Sequence, residues 1–241
     1  MAFGYASNFE KTIEQLEKIT YIGRMEQKRR YDDACGTAHA LELIGERWAL
    51  LVLRELMLGP RRFTDLKADL PGISANVLTQ RLTELERRRL VARKRLPPPA
   101  NVQVYEATPW GLEAEPIVQA LGRWAARSPG HDPTLPISGV SVLLSFRTMI
   151  DEKKAKGIDA RFGFVFGADQ YVARIKKGRI KVVRGPVDDA DVVFDGPPTL
   201  LAAVVYGGQP LDMIDVKGDR DLARKFTTLF PLPSKVGFAG H

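Results

Sequence analysis

Asn76, Gln80, Thr83 and Arg87 follow one another at spacings of four, three and four residues, which places them along one side of a helix turning about 100° per residue. Ala75, Leu78, Leu82 and Leu85 form an apolar stripe on the other side, and Ser74 stands where an N-cap belongs. Solubility alone asks only for Lys and Glu on an outer face. Amides and hydroxyls there match base edges instead: Asn and Gln pair bidentately with adenine, and Thr bonds a base or touches a thymine methyl. The start of such a helix also offers unpaired N–H groups and a positive dipole end, both favourable near phosphate. Arg81 and Ser74 are placed with this contacting set. Two strands follow, Val91 to Leu96 and Val102 to Ala107, joined through Pro97-Pro98-Pro99-Ala100-Asn101. Arg93, Lys94 and Arg95 lie on the first strand, where a hairpin gripping phosphate or a minor groove needs cations.

The elements that must position these residues come before and after them. Ala38, Leu41 and Ile44 mark a first short helix. Trp48, Leu51, Val52, Leu56 and Leu58 mark a second, ended by Gly59-Pro60, and Phe63, Leu66 and Leu70 a third, stopped by Pro71-Gly72. A last helix, from about Trp110 to Arg127, carries Ile117, Leu121 and Trp124 on one side. Helix, turn, capped helix and basic hairpin, in that order, predict a winged helix-turn-helix over residues 25–128 with double-stranded DNA as partner.

Composition sets the outer limits. The 241 residues are 44% hydrophobic and 27% charged, those of a globular chain long enough for two domains. No apolar run approaches the roughly 20 residues that cross a bilayer, so no membrane insertion is expected, and a cytoplasmic address follows. A formal charge of +7 and pI near 9.5 suit an anionic partner. From Arg81 to Arg95 seven cations stand against two carboxylates. Cys35 is the only cysteine, and the three histidines have no metal-ligand spacing, so neither disulfide, metal site nor cofactor is expected. Residues 1–24 read as a helical extension, with Asn8 as cap and Phe9, Ile13, Leu16 and Thr20 on one face. This is either an added dimerisation helix or sequence ahead of a start at Met25.

Residues 31 to 127 resemble the HxlR-type winged-helix regulators, a branch of the MarR-like group. The resemblance is carried by Cys35 ahead of Leu43-Ile44-Gly45-Glu46-Arg47-Trp48, then Gly59-Pro60-Arg61-Arg62-Phe63-Thr64-Asp65-Leu66, Pro71-Gly72-Ile73-Ser74 and Leu78-Thr79-Gln80-Arg81-Leu82. It ends with Tyr105-Glu106-Ala107-Thr108-Pro109-Trp110-Gly111. It implies homodimers binding two half-sites, with the first and last helices of the domain at the interface; Leu121 and Trp124 fit either that interface or the core. It also implies a possible redox sensor at Cys35, as in some members. A helix start there lowers the thiol pKa, while Asp32 and Asp33 raise it, and an inert cysteine is the plainer alternative.

Residues 129–136, with three prolines and a glycine, read as a linker. Beyond it the grammar changes. Val142 to Ile150 reads as a helix; Arg161 to Phe166, Tyr171 to Ile175, Arg179 to Val183 and Asp191 to Asp195 as strands; Thr199 to Tyr206 and Asp219 to Phe230 as helices. The fold class is α+β: a winged helix followed, over 137–236, by an antiparallel sheet covered by helices. This half is similar to the sterol-carrier-protein type of lipid-binding domain, through Gly178-Arg179-Ile180, Ala190-Asp191-Val192-Val193-Phe194, Gly207-Gly208 and Val216-Lys217-Gly218-Asp219. The resemblance implies an apolar cavity lined by Phe164, Phe166, Leu201, Val205, Met213 and Phe226, taking a hydrophobic small molecule, or a domain closed by its own side chains that braces a dimer. No nucleophile motif or phosphate loop is present, and the cluster Asp188, Asp189 and Asp191 reads as solvated surface; no enzyme is expected. The reading is a homodimeric DNA-binding regulator, acting as a repressor. Its rival is a lipid carrier whose winged helix mediates protein contacts.

Overall fold

A computed structural model describes residues 31–237. The expected N-terminal extension and the choice between Met1 and Met25 lie outside the described residues. Two compact units are distinguished, Met1–Arg47 and Trp48–His241. In the first, helix α1 spans Gly36–Ile44 with Cys35 at its N-cap.

The second unit opens with α2 (Ala49–Glu55), whose Val52 and Leu53 are fully buried. Gly59 takes φ +118°, which a side chain would resist, and turns the chain before Pro60. Helix α3 (Phe63–Asp69) buries Leu66, and Gly72, again at positive φ, makes the turn into α4 (Ala75–Arg87). Ser74 caps α4 by accepting from the Val77 N–H at 3.2 Å. Strands β1 (Val91–Arg95) and β2 (Gln103–Ala107) pair antiparallel. Arg61 adds an isolated antiparallel bridge to β2: its N–H donates to the Tyr105 carbonyl at 2.9 Å, and the Tyr105 N–H donates back at 2.8 Å.

The predicted single helix over Trp110–Arg127 is two: α5 (Pro109–Leu112) and α6 (Glu115–Ala125). Pro116 lies in the first turn of α6, a position that tolerates its missing N–H and starts a new helix rather than extending an old one. Where α5 begins, a Cβ on Gly111 would sit 2.1 Å from the Leu90 carbonyl oxygen, so only glycine lets this helix start abut the wing. Thr108 finishes the joint, accepting from Gly111 N–H at 3.0 Å and donating to the Arg89 carbonyl at 2.7 Å.

Past the proline-rich stretch 129–136, Ser138 caps α7 (Gly139–Met149). The short α8 (Glu152–Ala155) leads into β3 (Asp159–Phe166), β4 (Asp169–Lys176) and β5 (Arg179–Arg184), an antiparallel meander. Lys177 and Gly178, both at positive φ, form the β4–β5 turn that the sequence signals. Strand β6 (Val192–Asp195) joins parallel to β3, and β7 (Asp215–Gly218) pairs with β6, giving the order β5-β4-β3-β6-β7. The sheet is therefore mixed, since β6 returns to the far side of β3 rather than continuing the meander. Helix α9 (Pro198–Tyr206) precedes a 3-10 turn (Leu211–Met213), and α10 (Arg220–Thr227) follows β7.

One face of the sheet is packed with aromatics. Phe162, Phe164, Phe194 and Phe226 are fully buried with Phe146 of α7. Phe146 stacks on Phe230 at 4.5 Å between centroids, and Phe226 lies 4.6 Å from Phe162 and 5.2 Å from Phe194.

Candidate nucleic-acid interface

Leu78, Leu82 and Leu85 anchor α4 from behind, and Asn76, Gln80, Thr83 and Arg87 are all exposed. Thr79 is exposed beside them, three residues beyond Asn76 and four before Thr83; its spacing marked it, but the sequence reading did not single it out. Gln80 Nε2 donates to Glu84 Oε1 at 3.3 Å, a contact within the same face. Ser74 is exposed and engaged as the cap. Arg81 departs from expectation. It is only 5% exposed and its Nη1 lies 2.8 Å from Glu84 Oε2, so it belongs to the packed side of the helix and is withdrawn from the contacting set. Its position, three residues after Leu78 and four before Leu85, is that of the apolar stripe; its charge was the misleading sign.

On the wing, Arg93, Lys94 and Arg95 are all exposed. Arg93 reaches back to Glu86 at 3.1 Å and lies over the Tyr105 ring at 5.8 Å. Lys94 is paired with Glu106, and Arg95 Nε donates to Asn101 Oδ1 at 2.8 Å near the tip. Two of the three cations are thus balanced by carboxylates, and each must exchange that partner to meet a phosphate.

Behind this surface lies a buried charged joint that sequence reasoning missed. Arg61 is 5% exposed; it donates through Nη2 to Asp69 Oδ2 and through Nη1 to Asp169 Oδ2, the latter at 2.5 Å. Asp169 also accepts from Arg184, whose Nη2 donates to the Tyr171 hydroxyl at 2.8 Å and whose guanidinium lies 4.6 Å from that ring centroid. Burial works to raise the Asp169 carboxyl, but Arg61 and Arg184 overcome it and hold it below the usual range. Burial dominates at Asp69, which is pushed up despite Arg61. Two further links cross from the helices to α7. Glu55, 0% exposed, accepts from Arg54 Nε at 2.8 Å and from Ser138 Oγ at 2.9 Å; burial raises its carboxyl. Glu115 lies 3.0 Å from Arg147. The stretch 129–136 thus connects two halves that are packed together within one unit.

Beside that joint is a cleft of about 200 Å³, lined by Ala68 and Asp69 at the end of α3, by Pro71 just after it, and by Phe166, Tyr171 and Pro198 of the sheet half. Among the described residues, the six expected around an internal cavity are dispersed. Phe164, Leu201 and Phe226 are fully buried in the aromatic core, Met213 is 44% exposed on the 3-10 turn, and Val205 is half-buried; Phe166 alone of the six lines the cleft. Phe164 and Phe226 pack there against other rings, Phe164 on Phe194 at 5.7 Å and Phe226 on Phe230 at 4.8 Å.

Helix α6 buries none of its residues. Ile117, Leu121 and Trp124 form an exposed stripe, with Trp124 at 73%, which decides against the core reading for Leu121 and Trp124. In the other unit, Cys35 is exposed, and its thiol is lowered chiefly by the Thr37 and Ala38 backbone N–H groups of the α1 start.

The family model of the HxlR-like helix-turn-helix matches residues 43–132. The uncharacterized HTH-type transcriptional regulator YkvN of Bacillus subtilis is 40% identical over 94 residues, which are 38% of this chain and 77% of that protein. This chain belongs to the HxlR-like helix-turn-helix family. A second relative of this HxlR-type chain is the HTH-type transcriptional regulator YodB of Bacillus subtilis, 36% identical over 36% of this chain and 77% of that one. The quinone-bound crystal structure of YodB covers 37% of this chain and 93% of its own, at 32% identity and a TM-score of 0.33. The family model stops at residue 132, so it speaks for the winged helix and not for the sheet half. Among the described residues, no helix is long and apolar enough to cross a membrane.

Proposed function

We propose that this HxlR-type protein is a homodimeric transcriptional repressor that reads double-stranded DNA through α4 and steadies it with the wing. The carrying observation is the exposed row Asn76, Gln80, Thr83 and Arg87 on a helix anchored by buried leucines. Amides in a major groove discriminate bases, whereas wing cations hold phosphate without regard to sequence. Selection from a random duplex pool followed by anisotropy titration tests this. Asn76→Ala or Gln80→Ala should relax preference at one base pair by about 1–3 kcal/mol. Arg93→Ala should weaken all sequences alike and reduce the salt slope by about 1. Identical behaviour of the two classes refutes the assigned roles.

The exposed Ile117, Leu121 and Trp124 stripe supports the dimer, since a lone helix face of that character loses area to water that a second copy would cover. The sheet half, proposed as sterol-carrier-like in ancestry, serves as the sensing and bracing part. Three of the six expected lining residues are buried in its aromatic core, and the place we assign to a small hydrophobic effector is the cleft beside the end of α3, where Phe166 and Pro198 offer apolar walls. An effector there acts only by binding DNA-competent and DNA-incompetent arrangements with different affinity. Cys35 gives a second input, because an exposed thiol with a lowered pKa is open to oxidants and electrophiles.

A further inference from the structure

The sheet has a second face, and its charge is lopsided. Strands β3, β4 and β5 turn Phe162, Ala173 and Val182 to the aromatic core, so the residues one register step away point outward. There Arg161, Arg174 and Lys181 stand directly opposite one another across three strands, and Lys176 faces Arg179 in the next row. Arg174, Lys176, Lys177, Arg179 and Lys181 are all exposed. Like charges placed directly opposite in a sheet are destabilising. The compensation is thin: Asp159 serves both Arg174 at 2.7 Å and Lys176 at 2.9 Å. Asp189 reaches Arg161 only at 3.8 Å, on the β3 side. Lys177, Arg179 and Lys181 make no ion pair among the described residues. At one end of this face the β4–β5 turn abuts α8, closely enough that a Cβ on Gly178 would sit 2.7 Å from the Glu152 carbonyl oxygen. Lys153 and Lys156 are exposed there too.

We propose that this β4–β5 face is a second nucleic-acid contact, holding the phosphate backbone of duplex DNA outside the segment read by α4. The proposal rests on the DNA-binding reading above and extends it to the half of the chain that the family relation does not reach. Charge complementarity selects the partner. Cations repeat roughly 4.8 Å apart between strands and 6.8 Å apart along them, an array whose spacing suits a line of phosphates. Apart from Gln170 at its margin the face has no amide or hydroxyl to read bases, and its other exposed side chain among the cations is the apolar Val183. The face therefore adds affinity without preference, the converse of α4. Each phosphate it neutralises should contribute about 0.9 to the slope of log affinity against log salt.

The full chain, unmodified and as R179E/K181E, is titrated by anisotropy against a 40-base-pair duplex of random sequence between 50 and 300 mM KCl. K217E is the control, on the same sheet but paired with Asp195 at 3.1 Å. All three side chains are exposed, and thermal melts check that the fold is kept. The expected result is a loss of at least ten-fold at 100 mM KCl in R179E/K181E, a slope shallower by about 2, and no change in K217E. Unchanged affinity and slope in R179E/K181E, with the parent binding normally, overturn this proposal alone. A parent that binds no duplex overturns the DNA-binding reading as well. Loss of binding to phosphatidylserine vesicles with an unaltered DNA slope assigns the face to a membrane and overturns it too.

Discussion

Asp169→Ala removes the carboxylate at which the two halves of the larger unit meet. Arg61 would keep Asp69, and Arg184 would keep the Tyr171 hydroxyl, so neither guanidinium is stranded completely. Removing one partner of a fully buried pair costs about 3–5 kcal/mol, chiefly because the other charge is left uncompensated. Asp169 is itself 30% exposed, and Arg184 27%, so water takes up part of that debt. A destabilisation of about 2–3 kcal/mol follows, mostly through Arg61. In a folded unit of this size, that lowers Tm by about 4–12 °C. Urea unfolding followed by tryptophan fluorescence and by far-ultraviolet circular dichroism measures it, and Asp169→Asn separates lost charge from lost shape. Combined with Asp69→Asn, the losses should be more than additive, since the second change leaves Arg61 buried with no carboxylate. A loss under about 0.5 kcal/mol for Asp169→Ala, or strict additivity in the double variant, refutes the reasoning that this joint holds the halves together.

Glu55 gives the pH dependence. Its folded carboxyl is raised, so its favourable share of stability is complete below the unfolded pKa of about 4.3 and is lost as pH rises through the folded value. Glu55→Gln should therefore gain stability relative to the parent between pH 5 and pH 8 in urea melts; a constant difference across that range defeats the assignment. Leu121→Glu with Trp124→Glu should leave the fold intact and shift the protein to monomers by light scattering, with operator affinity reduced at least ten-fold; unchanged mass removes α6 from the interface. Cys35 should alkylate with iodoacetamide faster at pH 7 than free cysteine does, because backbone N–H groups favour its thiolate. An equal or slower rate would show the helix start has no such effect.

The winged helix was legible because its signals are local. Leucine spacing, Ser74, Pro71-Gly72 and the wing prolines each act within a few residues, and α4 follows from them directly. The same stripe also assigned Arg81 inward, had spacing been weighed above residue type. What was not legible is carried by pairs far apart in sequence. Arg61 with Asp169, Glu55 with Ser138 and Glu115 with Arg147 are ordinary surface-type residues until the fold brings them together. For that reason the proline-rich stretch read only as an interdomain linker, with no sign of how the halves it joins meet. The alternation of Phe162, Phe164 and Phe166 gave a strand with one apolar face. What those rings pack against depended on Phe146 from α7 and on Phe226 and Phe230 from the C-terminal stretch. Strand β7 offered too little pattern, with Val216 as its one buried residue among four.

The backbone of Arg61 is laced to the wing at Tyr105 while its side chain grips the corner where β4 begins. Asp69, the last residue of α3 before the turn into α4, is held by the same guanidinium. Helix and wing therefore share one attachment to the sheet at this residue, beside the links that Glu55 and Glu115 make to α7. A tug on the sheet would swing both together, preserving the span between groove and flanking phosphate while changing how the pair is aimed. Lengthening the chain around Gly167 and Ala168 would thus be felt first as altered aim rather than as altered spacing.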